Sequence, residues 1–133
     1  MRFLLDCDAL LALGHAGHSQ HTQASAFFAA HSGAGRFLTT PISELAFVRI
    51  GTHAGYFSSI VHAQTVLAQL IASASGRIAF LPDDLGAASL PAYVTRPRDT
   101  TDGHLLSLAR RHSAKLLTFD TGIPGAELIK QTQ

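Results

Sequence analysis

Nine acidic residues in a chain of 133 are few enough for their placement to carry information. Asp6 ends the apolar run "RFLL" and Asp120 stands just past "KLLT". Glu44 and Asp102 fall in the first turns of two amphipathic stretches, "PISELAFVRI" and "TTDGHLLSLARR". Glu44 is in helical register with Phe47 and Val48, and Asp102 with Leu105, Leu106 and Ala109, so both acids begin apolar stripes that face an interior. A solvated acid belongs on the opposite face. Carboxylates that converge in a partly buried place repel one another and raise each other's pKa unless a cation holds them ionised. Hard oxygen donors without cysteine or an obligatory histidine suit Mg²⁺ or Mn²⁺. Such an ion can orient a water, lower its pKa and stabilise the charge that develops on a phosphodiester during in-line displacement, so the expected chemistry is hydrolysis of a nucleic-acid backbone. Capping competes with this reading. Each acid taken alone suits a helix start, where unpaired N–H groups and the positive end of the dipole lie. Asp6, Glu44, Asp102 and Asp120 taken together favour a site.

Elements able to position these acids follow from periodicity and punctuation. Short apolar runs alternate with longer amphipathic stretches, which implies one α/β layered domain spanning residues 1–133, with a parallel sheet and crossover helices. Strands are expected at Arg2 to Leu5, Arg36 to Thr39, Arg77 to Leu81, Lys115 to Thr118 and Glu127 to Ile129. Helices are expected at Ala9 to Leu13, Thr22 to Ser32, Pro41 to Ile50, Ser58 to Ala74, Leu85 to Tyr93 and Thr101 to His112. "SGAG" closes the second helix, Thr40 caps the third ahead of Pro41, and Gly51 ends it. In an open parallel sheet the four acids then share one edge, the carboxyl ends of the strands, where such folds place ligands.

The totals agree with a single small folded domain. Apolar residues make up 47% of the chain, ample for a core, and a net charge of +1 leaves nucleic-acid binding to local patches. The one cysteine, Cys7, cannot form an internal disulfide and suits a reducing compartment. The opening "MRFLLD" meets an acid too soon for a secretory signal, and no apolar run is long enough to span a bilayer, so a soluble, cytoplasmic protein is expected.

"LLDCDALLAL", "TTPISELAFVRI", "TDGHLLSLARR" and "KLLTFD" resemble, in order and separation, the four acidic motifs of the PIN-domain nucleases. The resemblance covers nearly the whole chain and is closest to the VapC-type toxins of bacterial toxin–antitoxin modules. It implies a PIN-like three-layer α/β/α domain, with a short central parallel sheet flanked by helices, acting as a Mg²⁺-dependent endoribonuclease. By the same resemblance Asp6, Glu44, Asp102 and Asp120 are the catalytic acids, and Asp6, Asp102 and Asp120 ligate the metal. Thr118 resembles the family's threonine, whose hydroxyl can hold an acid's rotamer. Asp99, one helical turn before Asp102, is a further candidate to support the metal site, although its loop position also suits capping. Asp8 stands where many relatives carry asparagine and is expected to cap the first helix, with a supporting role beside the metal ligands left open. Asp83 and Asp84 also follow a strand, but the family pattern puts that strand at the sheet's edge and leaves them as helix caps.

Arg49, beyond Glu44, and Arg96 and Arg98, in the loop leading to Asp102, are placed to grip an RNA backbone at the same edge, against a default of solvated surface charge. The eight histidines invite a zinc hypothesis through "HAGHSQH", but Gly14 and Gly17 deny His15, His18 and His21 a common helical face. His104, near Asp102, could touch a phosphate, but is expected to face solvent as an ordinary helix histidine. In "HAGYFSSIVHAQTVLAQLIASA", Ile60, Leu67, Leu70 and Ile71 form a broad apolar face. It is either core or, as the resemblance implies, part of a homodimer and of the groove for a VapB-like antitoxin. Two rival readings stand beside the nuclease: a non-catalytic PIN-like module binding an ion or a basic partner, and a haloacid-dehalogenase-like phosphatase, suggested by "DCD" after a strand.

Overall fold

The structure, a computed structural model, describes residues 1–130. Strands β1 (Arg2–Leu5), β2 (Phe37–Thr39), β3 (Ile78–Phe80), β4 (Ala114–Thr118) and β5 (Glu127–Leu128) pair in parallel, in the order β3-β2-β1-β4-β5. The crossovers are made by α1 (Cys7–Gly14), α2 (His21–Ala30), α3 (Pro41–His53), α4 (Ile60–Ser73) and α5 (Thr100–Arg111). From β1 the chain winds outward to β2 and β3, then returns to the other side for β4 and β5. The winding therefore reverses at β1 and β4, and a crevice opens beyond their carboxyl ends. Leu5 of β1 pairs with Leu117 of β4, so Asp6 and Asp120 leave the sheet side by side.

Strand alternation explains the two helical layers. Phe3, Leu5, Phe37 and Leu117 point to one face, where they meet Leu10, Phe47, Phe57 and Leu67 from the α1, α3 and α4 side. Leu4, Leu38 and Leu116 point to the other and bury Leu105, Leu106, Leu108 and Ala109 of α5. Each such buried leucine contributes about 1.5–3 kcal/mol relative to exposure. That stripe on α5 fixes the azimuth of Asp102, one turn before Leu105 and Leu106.

The strands and most helices lie within two or three residues of the sequence expectation, with instructive exceptions. Leu85 to Tyr93 forms no α-helix: only a 3-10 turn, Ala87–Ser89, survives between Gly86 and Pro91. Asp83 and Asp84 therefore cap nothing. Asp83 Oδ1 instead accepts from Leu85 N at 3.1 Å in a tight turn. The segment after it is clamped to α5, because Gly103 leaves no room for a Cβ beside Val94. Gly51 does not end α3 but lies inside it, where the Phe57 ring occupies the space a side chain would need. Thr40 stands at the cap position of α3 without capping it, since its buried hydroxyl donates to Leu81 O at 2.7 Å. The first helix starts earlier than expected, at Cys7, and its cap is Asp6 rather than Asp8. Among the described residues no helix is long and apolar enough to cross a membrane.

Candidate metal centre

The crevice holds a pocket of about 240 Å³ lined by Asp6, Cys7, Asp8, Asp102, Thr118, Phe119 and Asp120. Asp6 is its deepest carboxylate, only 5% exposed. Its Oδ1 accepts from Ala9 N at 2.7 Å, and the Thr118 hydroxyl bonds the same carboxyl group. Burial nevertheless pushes Asp6 up to about 7. The Thr118 and Ala9 hydrogen bonds oppose that rise, while the neighbouring charges of Asp102 and Asp8 add to it. Asp102 is raised as well, first by burial, then by Asp120 and Asp99. The Cys7 thiol is pushed up to about 12, chiefly by burial and then by Asp6 and Asp102, and is not a thiolate near neutrality.

Thr118, ending β4, ties two of the acids together. Besides bonding Asp6, its Oγ1 accepts from Asp120 N at 3.0 Å, and Asp120 Oδ1 accepts from Gly122 N at 2.8 Å. The strand end and the turn after it are thus braced against the acid that follows β1. The resulting donor set is all oxygen, one buried carboxylate with two more open ones, which fits a hard divalent cation. As the side chains stand, no three ligating groups among the described residues are close enough to share one ion. Asp102 and Asp120 are less buried than Asp6.

Glu44 does not line this pocket. Ser43 Oγ donates to Leu5 O at 2.7 Å and Thr40 to Leu81 O, which pins the start of α3 to the ends of β1 and β3. That register turns Glu44 aside. Its Oε2 accepts from Thr39 Oγ1 at 2.6 Å, and the residue lines a groove of about 480 Å³ between α3 and α4, with Leu45, Val48, Leu67 and Phe80.

Asp99 lies nearer, on the wall of an adjoining pocket of about 290 Å³ that shares Asp102 and Asp120 and adds Tyr93, Thr95 and Arg96. There Asp99 pairs with Arg96 at 2.9 Å. Arg49 is exposed on α3, though its charge reaches Cys7 at the pocket rim. Arg98 is exposed and lines neither pocket.

Several contacts were not legible as a site. Asp8 stands at the pocket's lip and accepts from His18 Nε2 at 3.0 Å, while Gln20 N donates to His18 Nδ1 at 3.0 Å. The backbone thus fixes the tautomer that serves Asp8. His15 accepts from Gly17 N and stacks on Tyr56, and His21 donates to Ala12 O, so the three histidines point to separate partners. His104 does not face solvent: it meets Asp83 at 2.6 Å, with both side chains 13% exposed. No spacing in "HAGHSQH" announces the Asp8 pairing, and Tyr93 gives no signal at all in sequence.

Similar folds are known. A Mycobacterium tuberculosis VapC20 structure, described as a sarcin-ricin-loop-cleaving toxin, superposes with a TM-score of 0.64 at 13% identity over 90% of this chain and 91% of that one. A toxin–antitoxin complex from Klebsiella pneumoniae gives 0.62 at 16% identity, over 97% and 98%. The architecture is therefore the PIN-like α/β fold, with its acids at the sheet's reversal point. Among curated proteins, Ribonuclease VapC39 of M. tuberculosis is 36% identical over 128 residues, covering 92% of this chain and 91% of that protein. Ribonuclease VapC38 of the same species is 38% identical over 125 residues, covering 90% and 86%. The chain belongs to the VapC family of ribonucleases. No protein-family model matches it.

Proposed function

We propose that the protein is a metal-dependent endoribonuclease that hydrolyses RNA phosphodiester bonds as the toxin of a toxin–antitoxin module. The observation that carries this reading is the buried Asp6 carboxylate facing Asp102 and Asp120 in one crevice, a charge arrangement that calls for a cation. Asp6, Asp102 and Asp120 would hold Mg²⁺ or Mn²⁺. When bound, the ion supplies Lewis-acid stabilisation of the phosphodiester and activation of water. Asp6 stays in one rotamer through Ala9 N and Thr118, and Thr118 carries that order to the Asp120 turn. Arg96, on the adjoining wall, with Arg49 and Arg98 nearby, supplies positive charge for the RNA backbone. Single-stranded or loop RNA suits a crevice this narrow.

A homodimer and an antitoxin are the expected partners. Support comes from apolar residues left in solvent around α3 and α4: Leu45 is 68% exposed, Val61 69%, Phe80 55% and Ile60 51%. A basic antitoxin side chain reaching the acids would neutralise the pocket as an ion does. The cytoplasm, where such RNA lies, is the expected compartment.

A second reading, an ion- or partner-binding module without cleavage, is favoured by one observation: Glu44 stands outside the pocket. The phosphatase reading is weakened because Asp6, nearly buried and bonded on Oδ1, is poorly presented as a nucleophile. The test is incubation of purified protein with total RNA and Mg²⁺ or Mn²⁺, beside Asp6→Asn and Asp102→Asn. Cleavage lost in both variants and in EDTA selects the nuclease; folded protein that cuts no RNA selects the binding module.

A further inference from the structure

Asp8 is the fourth carboxylate on the wall of the pocket that holds Asp6, Asp102 and Asp120, and its own helix does not use it as a cap. Asp6 already caps α1 through Ala9 N, which leaves Asp8 in the first turn. The helix dipole favours an acid there but sets no direction for its side chain.

That direction is set from outside the helix. His18, in the connection from α1 to α2, meets Asp8 Oδ1 through Nε2 at 3.0 Å. The His18 side chain is only 8% exposed, against 55% for Asp8. Gln20 N donates to His18 Nδ1 at 3.0 Å, so the ring proton sits on Nε2 and faces the carboxylate. The backbone is held on both sides: His18 N bonds His15 O at 3.1 Å, and His18 O accepts from His21 N at 3.0 Å. The ring meets Tyr56 in a T-shaped contact, centroids 6.1 Å apart. A nearly buried imidazole, braced at both nitrogens, thus ends in one hydrogen bond to a half-exposed acid. Pairs with an exposed partner contribute little to stability, so folding alone does not account for it. What the bond does is occupy Oδ1 and leave Oδ2 as the oxygen free for the pocket. The Asp8 charge reaches that interior, since it adds to the rise of the Asp6 carboxyl group.

We infer that His18 is a positioning residue for the metal centre: by holding Asp8 Oδ1 it sets Oδ2 at the pocket's lip, where that oxygen accepts hydrogen bonds from the hydration shell of an ion held by Asp6, Asp102 and Asp120. This rests on the metal-site reading and adds to it an outer carboxylate and the residue that orients it. An outer role fits because Asp8 stands half exposed at the rim, and Mg²⁺ keeps several waters that need acceptors.

The test is Mn²⁺ binding by calorimetry, without RNA, in the parent, Asp8→Ala, His18→Phe, the double variant and Asp102→Asn, with melting in EDTA to show that each is folded. His18→Phe keeps a ring beside Tyr56 and removes the donor. Asp8→Ala and His18→Phe are each expected to weaken Mn²⁺ binding about ten-fold, and the double variant to stay within about two-fold of either alone. A role confined to packing would lower the melting temperature and leave the affinity where it was. His18→Gln, which keeps a donor, is expected within about three-fold of the parent. Parent affinity in either single variant, a double-variant loss equal to the product of the two, or His18→Gln as weak as His18→Phe overturns the inference. If Asp102→Asn abolishes uptake while Asp8→Ala leaves it unchanged, the metal centre stands and this inference alone falls; no uptake by the parent overturns both.

Discussion

Replacing Asp6 with asparagine should make the metal-free protein more stable while disabling it. The carboxyl group ionises near 3.8 in the unfolded chain and at about 7 in the folded one, chiefly because it is buried. Between those values the folded state binds a proton that the unfolded state does not, so stability falls as pH rises. Below the lower value the carboxyl is neutral in both states and nothing is lost. Above the upper one it is ionised in both, and the full loss, on the order of 4 kcal/mol, is in place. The substituted amide carries no charge to bury, and its oxygen can still accept from Ala9 N as the cap of α1. Repacking at Thr118 offsets part of the gain, so Asp6→Asn should exceed the parent by about 2–3 kcal/mol at about pH 8 and by little at about pH 4. The assay is urea unfolding in EDTA across that pH range. Adding Mn²⁺ should then raise the parent's stability and leave the variant's unchanged. A variant no more stable than the parent at about pH 8, or a difference that does not shrink on acidification, refutes the reasoning about buried charge.

Thr118→Val removes the hydroxyl that bonds Asp6 and accepts from Asp120 N. Urea unfolding in EDTA should show a loss of about 1–3 kcal/mol that is larger at about pH 8 than at about pH 5, because the lost bond favoured the ionised acid. Glu44→Gln, at a residue outside the crevice, should leave Mn²⁺ affinity by calorimetry within about three-fold of the parent, whereas Asp102→Asn should lower it by at least about ten-fold. Leu45→Asp, on an exposed apolar site, should change unfolding free energy by less than about 0.5 kcal/mol and shift sedimentation from dimer to monomer.

The acids were legible because two ordinary signals coincide on them. A carboxylate ending an apolar run marks a strand's carboxyl end, and one leading a helical stripe marks a buried face; Asp6, Asp120 and Asp102 stand in the expected crevice for those reasons. Glu44 satisfied the second signal as well. Its heading was decided by hydrogen bonds from Ser43 and Thr40 to residues 38 and 41 positions away, which no local period records. The segment Leu85 to Tyr93 failed in a related way. Its apolar spacing suggested a helix, but Gly86 and Pro91 interrupt it, and its packing at Gly103 belongs to the tertiary fold. The Asp83–His104 and Asp8–His18 contacts join residues 21 and 10 positions apart, so neither histidine's partner could be read from its neighbours.

Anomalous diffraction from crystals grown with Mn²⁺ tests the central claim most directly. A peak is expected in the β1–β4 crevice with carboxylate oxygens of Asp6, Asp102 and Asp120 about 2.0–2.3 Å away, and Glu44 outside that shell. Density at the Glu44 groove, or none among the three aspartates at saturating Mn²⁺, would contradict it.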